Sequence, residues 1–122
     1  MSYRDDIAEF IYRHEARFED GHIAVYHPPK GDGGGDFEVA GITKRHHPFA
    51  ANTLRAHIEA GNYAEAETMA LAFILKFTDT IIHLLGIQRF GPELFLRDCV
   101  FNRGETGAVK ILQMALGIKP DG

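Results

Sequence analysis

The residues able to do chemistry in this chain are a few carboxylates, seven histidines and a run of glycines. Glu15 comes first, because its neighbours one helical turn away are Ile11 and Phe18, both apolar. That spacing sets the carboxyl at the margin of a buried stripe. Partial loss of water there favours the protonated form, which a general acid at neutral pH requires. His14-Glu15 also opens like a zinc-binding His-Glu-x-x-His pair, but Phe18 stands in the second histidine's place and the motif is absent. His22, His27, His46 and His47 have no recognised ligand spacing, so no metal and no cofactor are expected.

The glycine run, Gly31-Asp32-Gly33-Gly34-Gly35-Asp36, has the composition of an anion cradle. It lacks the Gly-Lys-[Ser/Thr] ending of a phosphate loop, and Asp36 breaks the dinucleotide pattern. Asp32, Asp36 and Glu38 gather oxygens that a hard cation would accept, but not at calcium-loop spacing, so a solvated turn is expected. No serine or cysteine stands in a nucleophile signature.

The elements that must position these groups are mostly helical. Ser2 with Asp5 is a capping-box-like start, and Ile7, Phe10, Ile11, His14 and Phe18 continue at helical spacing, predicting a first helix over about 3–17. Residues 22–26 and 37–42 read as short extended pieces that pair with each other across the glycine loop. His47-Pro48 begins a helix with Leu54 and Ile58 on its apolar side, ending at Gly61. Asn62 and Glu65 mark a further start, followed by a broad stripe of Ala66, Met69, Ala70, Phe73, Ile74, Phe77, Ile81, Leu84 and Leu85 up to Gly86. A helix this apolar is expected to be the central one, enclosed by the others, with Phe73, Ile74 and Phe77 most buried. Gly91-Pro92 opens another helix, Asn102-Arg103-Gly104 breaks it, and a last one ends at Gly117. The expectation is therefore a mainly α fold: about five helices around a long central helix, with a small β-hairpin and a Gly-rich flap after helix one.

Length and composition agree with one ordinary domain over residues 1–122, with 45% hydrophobic and 25% charged residues. The lone Cys99 excludes an internal disulfide. A net charge of −4 without a Lys/Arg run argues against a nucleic-acid partner. The N-terminus is polar and charged, with no signal peptide, and no uninterrupted apolar run reaches the roughly 18 residues of a membrane span. Cytoplasmic synthesis without membrane insertion is the expectation.

Three stretches together resemble glycoside hydrolase family 108, the lysozyme-like peptidoglycan muramidases. Arg13-His14-Glu15 is similar to the family's His-Glu-Gly-Gly-Tyr motif, whose glutamate is catalytic. Asp32-Gly33-Gly34-Gly35 leading to Gly41-Ile42-Thr43 is similar to Asp-Pro-Gly-Gly-x-Thr-x-Tyr-Gly-Ile-Thr. Asp98 through Asn102 and Gly104 to Ala108 and Leu112-Gln113 is similar to the family's Asp-x-x-x-Asn-x-Gly-x-x-x-Ala-x-x-x-Leu-Gln ending. The resemblance spans most of the chain. Ala16-Arg17-Phe18 replaces Gly-Gly-Tyr, and the glycine loop is one residue longer than the family's, which brings Phe37 or Glu38 to the place of its threonine.

The resemblance implies a lysozyme-like fold and hydrolysis of the β-1,4 bond after N-acetylmuramic acid. Glu15 would be the general acid and Glu38 a base across the sugar. Asp32, Gly35, Asp36 and Thr43 would bind substrate in a cleft between helix one and the glycine flap. The implied partner is the peptidoglycan glycan strand, reached from the bacterial or phage-infected cytoplasm through a holin or a secretion system. Chains of that family usually continue past the last helix into a peptidoglycan-binding segment beginning Asp-Gly; this sequence reads Asp121-Gly122 there, and residues 1–122 are expected to hold the lysozyme-like domain without that segment. The altered loop motivates an alternative, a non-catalytic wall-binding or structural module of the same fold; a protein-interaction domain is a third class.

Overall fold

The structure, a computed structural model, describes residues 3–29 and 36–117. Its elements run α1 (Arg4–Glu15), β1 (Arg17–Glu19), β2 (His22–Ala24), β3 (Glu38–Val39), β4 (Ile42–Thr43), α2 (Pro48–Glu59), α3 (Tyr63–Leu85) and α4 (Phe90–Ala115). Among the described residues the chain is mainly helical, with two small antiparallel hairpins. It divides into two compact units, one of Met1–Ile7 with Ile74–Gly122 and the other of Ala8–Phe73.

In the unit of residues 8–73, α1 stops at Glu15, two residues earlier than expected, because β pairing takes over the chain. Arg17, Phe18 and Glu19 pair with Ala24, Ile23 and His22. The link between them is Asp20-Gly21, both left-handed, with φ 51° and 80°. Two consecutive positive φ values are what a two-residue hairpin loop of type I′ needs, and Asp-Gly is among its preferred sequences. Ala40-Gly41 makes the same kind of link, and β3 folds back on β4 with Glu38 opposite Thr43 and Val39 opposite Ile42. The expected pairing of residues 22–26 with 37–42 is thus largely replaced by two local hairpins. What remains of it is a single bridge: the Tyr26 amide donates to the Glu38 carbonyl at 2.9 Å and the Glu38 amide to the Tyr26 carbonyl at 2.8 Å.

Pro48 opens α2, where its missing N–H costs nothing, and Ala51 and Leu54 are buried as α2 packs on β3 and β4. Ile11, Tyr12, Ile23, Phe37, Val39 and Ile42 complete the core here, each 3% exposed or less. Outward-facing cations cover that core: the Arg55 guanidinium lies 4.8 Å and the Lys44 ammonium 5.9 Å from the centre of the Phe37 ring.

In the other unit, Ile81, Ile82, Leu96, Val100 and Ala108 form one apolar cluster, with Phe77, Ile87, Cys99 and Val109 partly buried against it. Gly104, with φ 75° and ψ 170°, interrupts α4 where the Asn-Arg-Gly signal predicts a break. The Asn102 side chain turns back to donate to the Asp98 carbonyl at 2.9 Å. Divided at Gly104, α4 supplies the fourth and fifth of the expected helices.

α3 departs from expectation. Ala66, Ala70, Ile74, Leu75, Thr78, Ile81 and Ile82 are buried, but Ala72, Lys76 and Thr80 are exposed, and Phe73 and Phe77 are only partly covered. One stripe of this helix is enclosed, rather than its whole circumference. Spacings of three and four residues locate such a stripe, whereas total apolar content overstates its width. That content also makes α3 long and apolar enough to cross a membrane by length and composition, although no uninterrupted apolar run of that length exists.

Candidate functional site

The last turn of α1, the first hairpin and β3 bring the chemistry-bearing residues of the 8–73 unit together. Glu15 is half-buried at the end of α1. Glu38 is half-buried on β3, fixed through its own backbone by the Tyr26 bridge on one side and the Thr43 pairing on the other. The bridge to Tyr26 has a second consequence, because the Arg17 guanidinium on β1 lies 4.5 Å from the centre of the Tyr26 ring. The Tyr26 bridge thus ties the Glu38 backbone to a ring that carries the Arg17 cation, and Glu15 lies within electrostatic reach of Glu38.

The electrostatics of this group are dominated by Glu38. Burial pushes its carboxyl above the ordinary glutamate range, the negative field of Glu15 pushes it further, and Arg17 opposes both. Desolvation and a like charge both disfavour the ionised form, and they outweigh the opposing cation.

Beside Glu38 opens a cleft of about 310 Å3, lined by Tyr26, Asp36, Glu38, Thr43, Arg45 and His46 among others. This is the small end of the range for ligand pockets. Part of its lining is a built turn. The Thr43 hydroxyl accepts the His46 amide and pairs with the His46 ring Nδ1, both at 3.2 Å, and the His47 amide donates to the Thr43 carbonyl at 2.8 Å. A second hollow, of about 420 Å3, has Glu19, Asp20, His22 and Tyr63 in its wall. Its two carboxylates are exposed, and its aromatic pair is stacked on itself at 4.1 Å, so it holds no desolvated acid.

Of the residues singled out in the sequence, Asp36, Glu38 and Thr43 line one cleft, and Glu15 lies within electrostatic reach of Glu38. Asp32 and Gly35 lie outside the described residues. Among the described residues no group of three or more His, Cys, Asp or Glu side chains is disposed to hold a metal. Sequence reasoning passes over Arg17, Tyr26, Arg45 and His46. The signal for the first two was the Asp20-Gly21 turn, which converts the end of the helical pattern into a hairpin. The signal for the last two was Thr43, three residues before His46, the spacing of a hydroxyl-capped turn.

No family model matches the chain, and no curated protein or solved structure is detectably similar to it.

Proposed function

We propose that the chain is a glycan hydrolase of the lysozyme type, a muramidase that cleaves the β-1,4 bond after N-acetylmuramic acid in peptidoglycan. The observation that carries this reading is an acidic pair from α1 and β3: Glu38 lines the cleft, and its pKa is raised by burial and by the charge of Glu15 within electrostatic reach of it. Two carboxyl groups in different surroundings can divide the acid and base roles between them. Glu38 carries the proton and delivers it to the leaving glycosidic oxygen, while Glu15 is the ionised partner that activates water or stabilises the developing positive charge on the sugar. This reverses the roles that the motif resemblance implies. The resemblance to family 108 supplies the substrate, and the lysozyme-like arrangement of the helices belongs to the same proposal.

The test is release of reducing ends from purified peptidoglycan by the chain and by its Glu15→Gln and Glu38→Gln variants. The expected result is hydrolysis by the parent and loss in both variants with unchanged circular dichroism. Activity should also fall as pH rises through the raised pKa of Glu38. An inactive parent, or a fully active Glu38→Gln, overturns the reading.

One observation favours a second reading, in which the site holds glycan without cutting it. Arg17 stands where the family motif has its second glycine, and its charge draws Glu38 back towards the ionised form. Sedimentation of an inactive parent chain with insoluble peptidoglycan would select this wall-binding module.

A further inference from the structure

The cations of the 8–73 unit are mostly committed. Arg17 lies over Tyr26, Lys44 and Arg55 lie over Phe37, Arg55 also pairs with Glu59 at 2.6 Å, and Arg13 pairs with Glu9 at 2.9 Å. Arg45 is different. It is exposed, it lines the cleft, and among the described residues it has no ion pair, side-chain hydrogen bond or ring contact. It is also held in place, since it sits inside the turn that the Thr43 hydroxyl and carbonyl close onto His46 and His47. His46, the next residue, lines the same cleft. Asp36, Glu38, Arg45 and His46 therefore line one cleft, which combines carboxyl groups with a guanidinium unpartnered among the described residues.

We propose that Arg45, with His46 beside it, is a specificity determinant that receives a carboxylate carried by the glycan, so that the substrate class of this cleft is an anionic sugar chain rather than a neutral one. The inference rests on the muramidase reading above and names what that site selects. A planar guanidinium with a free fork of donors matches a carboxylate in a bidentate geometry. A carboxylate seated on Arg45 also fixes which end of the sugar faces the acid pair. A neutral glycan of equal length gains neither the attraction nor the orientation. The carboxylate has two chemical sources, the sugar's own acid group or the carboxylates of a peptide attached to it.

Binding is measured by calorimetry at low salt on the Glu38→Gln chain, so that turnover does not consume the probes. The probes are a peptide-free tetrasaccharide alternating N-acetylglucosamine and N-acetylmuramic acid, the same glycan bearing stem peptides, and neutral chitotetraose. We expect the charged glycans to bind roughly ten-fold more tightly than chitotetraose, the worth of one charge-assisted pair at an exposed site. Adding Arg45→Gln should remove that ten-fold preference without weakening chitotetraose, and Arg45→Lys, which keeps the charge but not the fork, should restore part of it. Preference for the peptide-free over the peptide-bearing form, or the reverse, identifies the source. Equal binding of charged and neutral probes, binding of none of them, or a preference that survives Arg45→Gln overturns the inference. Hydrolysis by the parent chain is scored separately: binding with the expected preference but no cleavage sinks the muramidase activity and leaves the specificity of the cleft standing.

Discussion

Two clusters of charged side chains in this protein meet burial in opposite ways. In the unit of residues 74–122 with the N-terminal segment, Arg97 is 1% exposed and fully partnered. Its Nε donates to Glu93 at 2.9 Å, and its Nη1 donates to the Thr78 hydroxyl at 2.7 Å and reaches Asp79 at 2.8 Å. Asp79 also takes both donors of Arg4, at 3.1 and 2.7 Å, which draws its carboxyl below the ordinary range. In the unit of residues 8–73, burial raises the pKa of Glu38 and the nearby charge of Glu15 raises it further. The first cluster joins opposite charges and satisfies them, which is architecture. The second leaves a half-buried carboxyl with a raised pKa beside a cleft, a perturbation that structural networks and functional sites can both carry.

The comparison breaks most sharply in activity. Under the muramidase reading, Glu15→Gln and Glu38→Gln each lower the rate of reducing-end release by about 10²- to 10⁴-fold, the usual contribution of acid–base groups. Glu38→Gln has a second, diagnostic effect. Because the folded protein holds the Glu38 proton more tightly than the unfolded chain does, an ionised Glu38 opposes folding at pH 7. The amide removes that opposition, so this variant should melt at a higher temperature at pH 7 than the parent while losing activity. A lower melting temperature would mark Glu38 as structural.

Arg97→Met attacks the other cluster. Glu93, 6% exposed, and Asp79 then lose their buried counter-ion, and breaking a buried pair from one side costs about 3–5 kcal/mol. Urea denaturation should show that loss, and a change under about 1 kcal/mol would mean the network is dispensable. The same cluster sets a pH response of opposite sign to that of Glu38. Asp79 binds its proton less tightly when folded, so its stabilising effect is complete above its ordinary pKa of 3.8 and disappears as pH falls through its depressed folded value. Acid should therefore weaken the parent below about pH 4, and Asp79→Asn should flatten that loss; an unchanged acid transition in Asp79→Asn would detach the network from stability.

The same contrast explains what was legible in the sequence. Helix boundaries at Pro48, Tyr63, Leu85 and Gly104 follow from proline, cap and glycine signals, which act locally and are written locally. The β region was read less well, because residues 22–26 and 37–42 have suitable composition to pair with each other, and only the turn chemistry of Asp20-Gly21 and Ala40-Gly41 decides that each pairs mainly with its nearest neighbour. Glu15 and Glu38 could be nominated from position and motif, but not the sign of their interaction, which depends on how the 22 intervening residues fold back. Arg97 was invisible as a core residue: it reads as a surface charge until Glu93 one turn before it and Asp79 on another helix supply its partners.

The smallest expected effect concerns a polar group that belongs to neither cluster. Tyr12, on α1, is 1% exposed, its ring meets Phe18 edge-on at 6.0 Å, and its hydroxyl is buried with no hydrogen-bond partner among the described residues. Burial and the nearby charge of Glu67 push its pKa up to about 12, so the hydroxyl stays protonated at any ordinary pH and contributes no charge. An unpaired hydroxyl gives up its bonds to water on folding and regains none, whereas the ring keeps all its packing in phenylalanine. Tyr12→Phe should therefore leave stability unchanged or raise it by about 1 kcal/mol, with no effect on glycan hydrolysis. A loss of more than about 1 kcal/mol in urea denaturation would mean that the hydroxyl has a hidden partner, such as a buried water, and would move Tyr12 into the same class as Arg97: a buried polar group kept because it is satisfied.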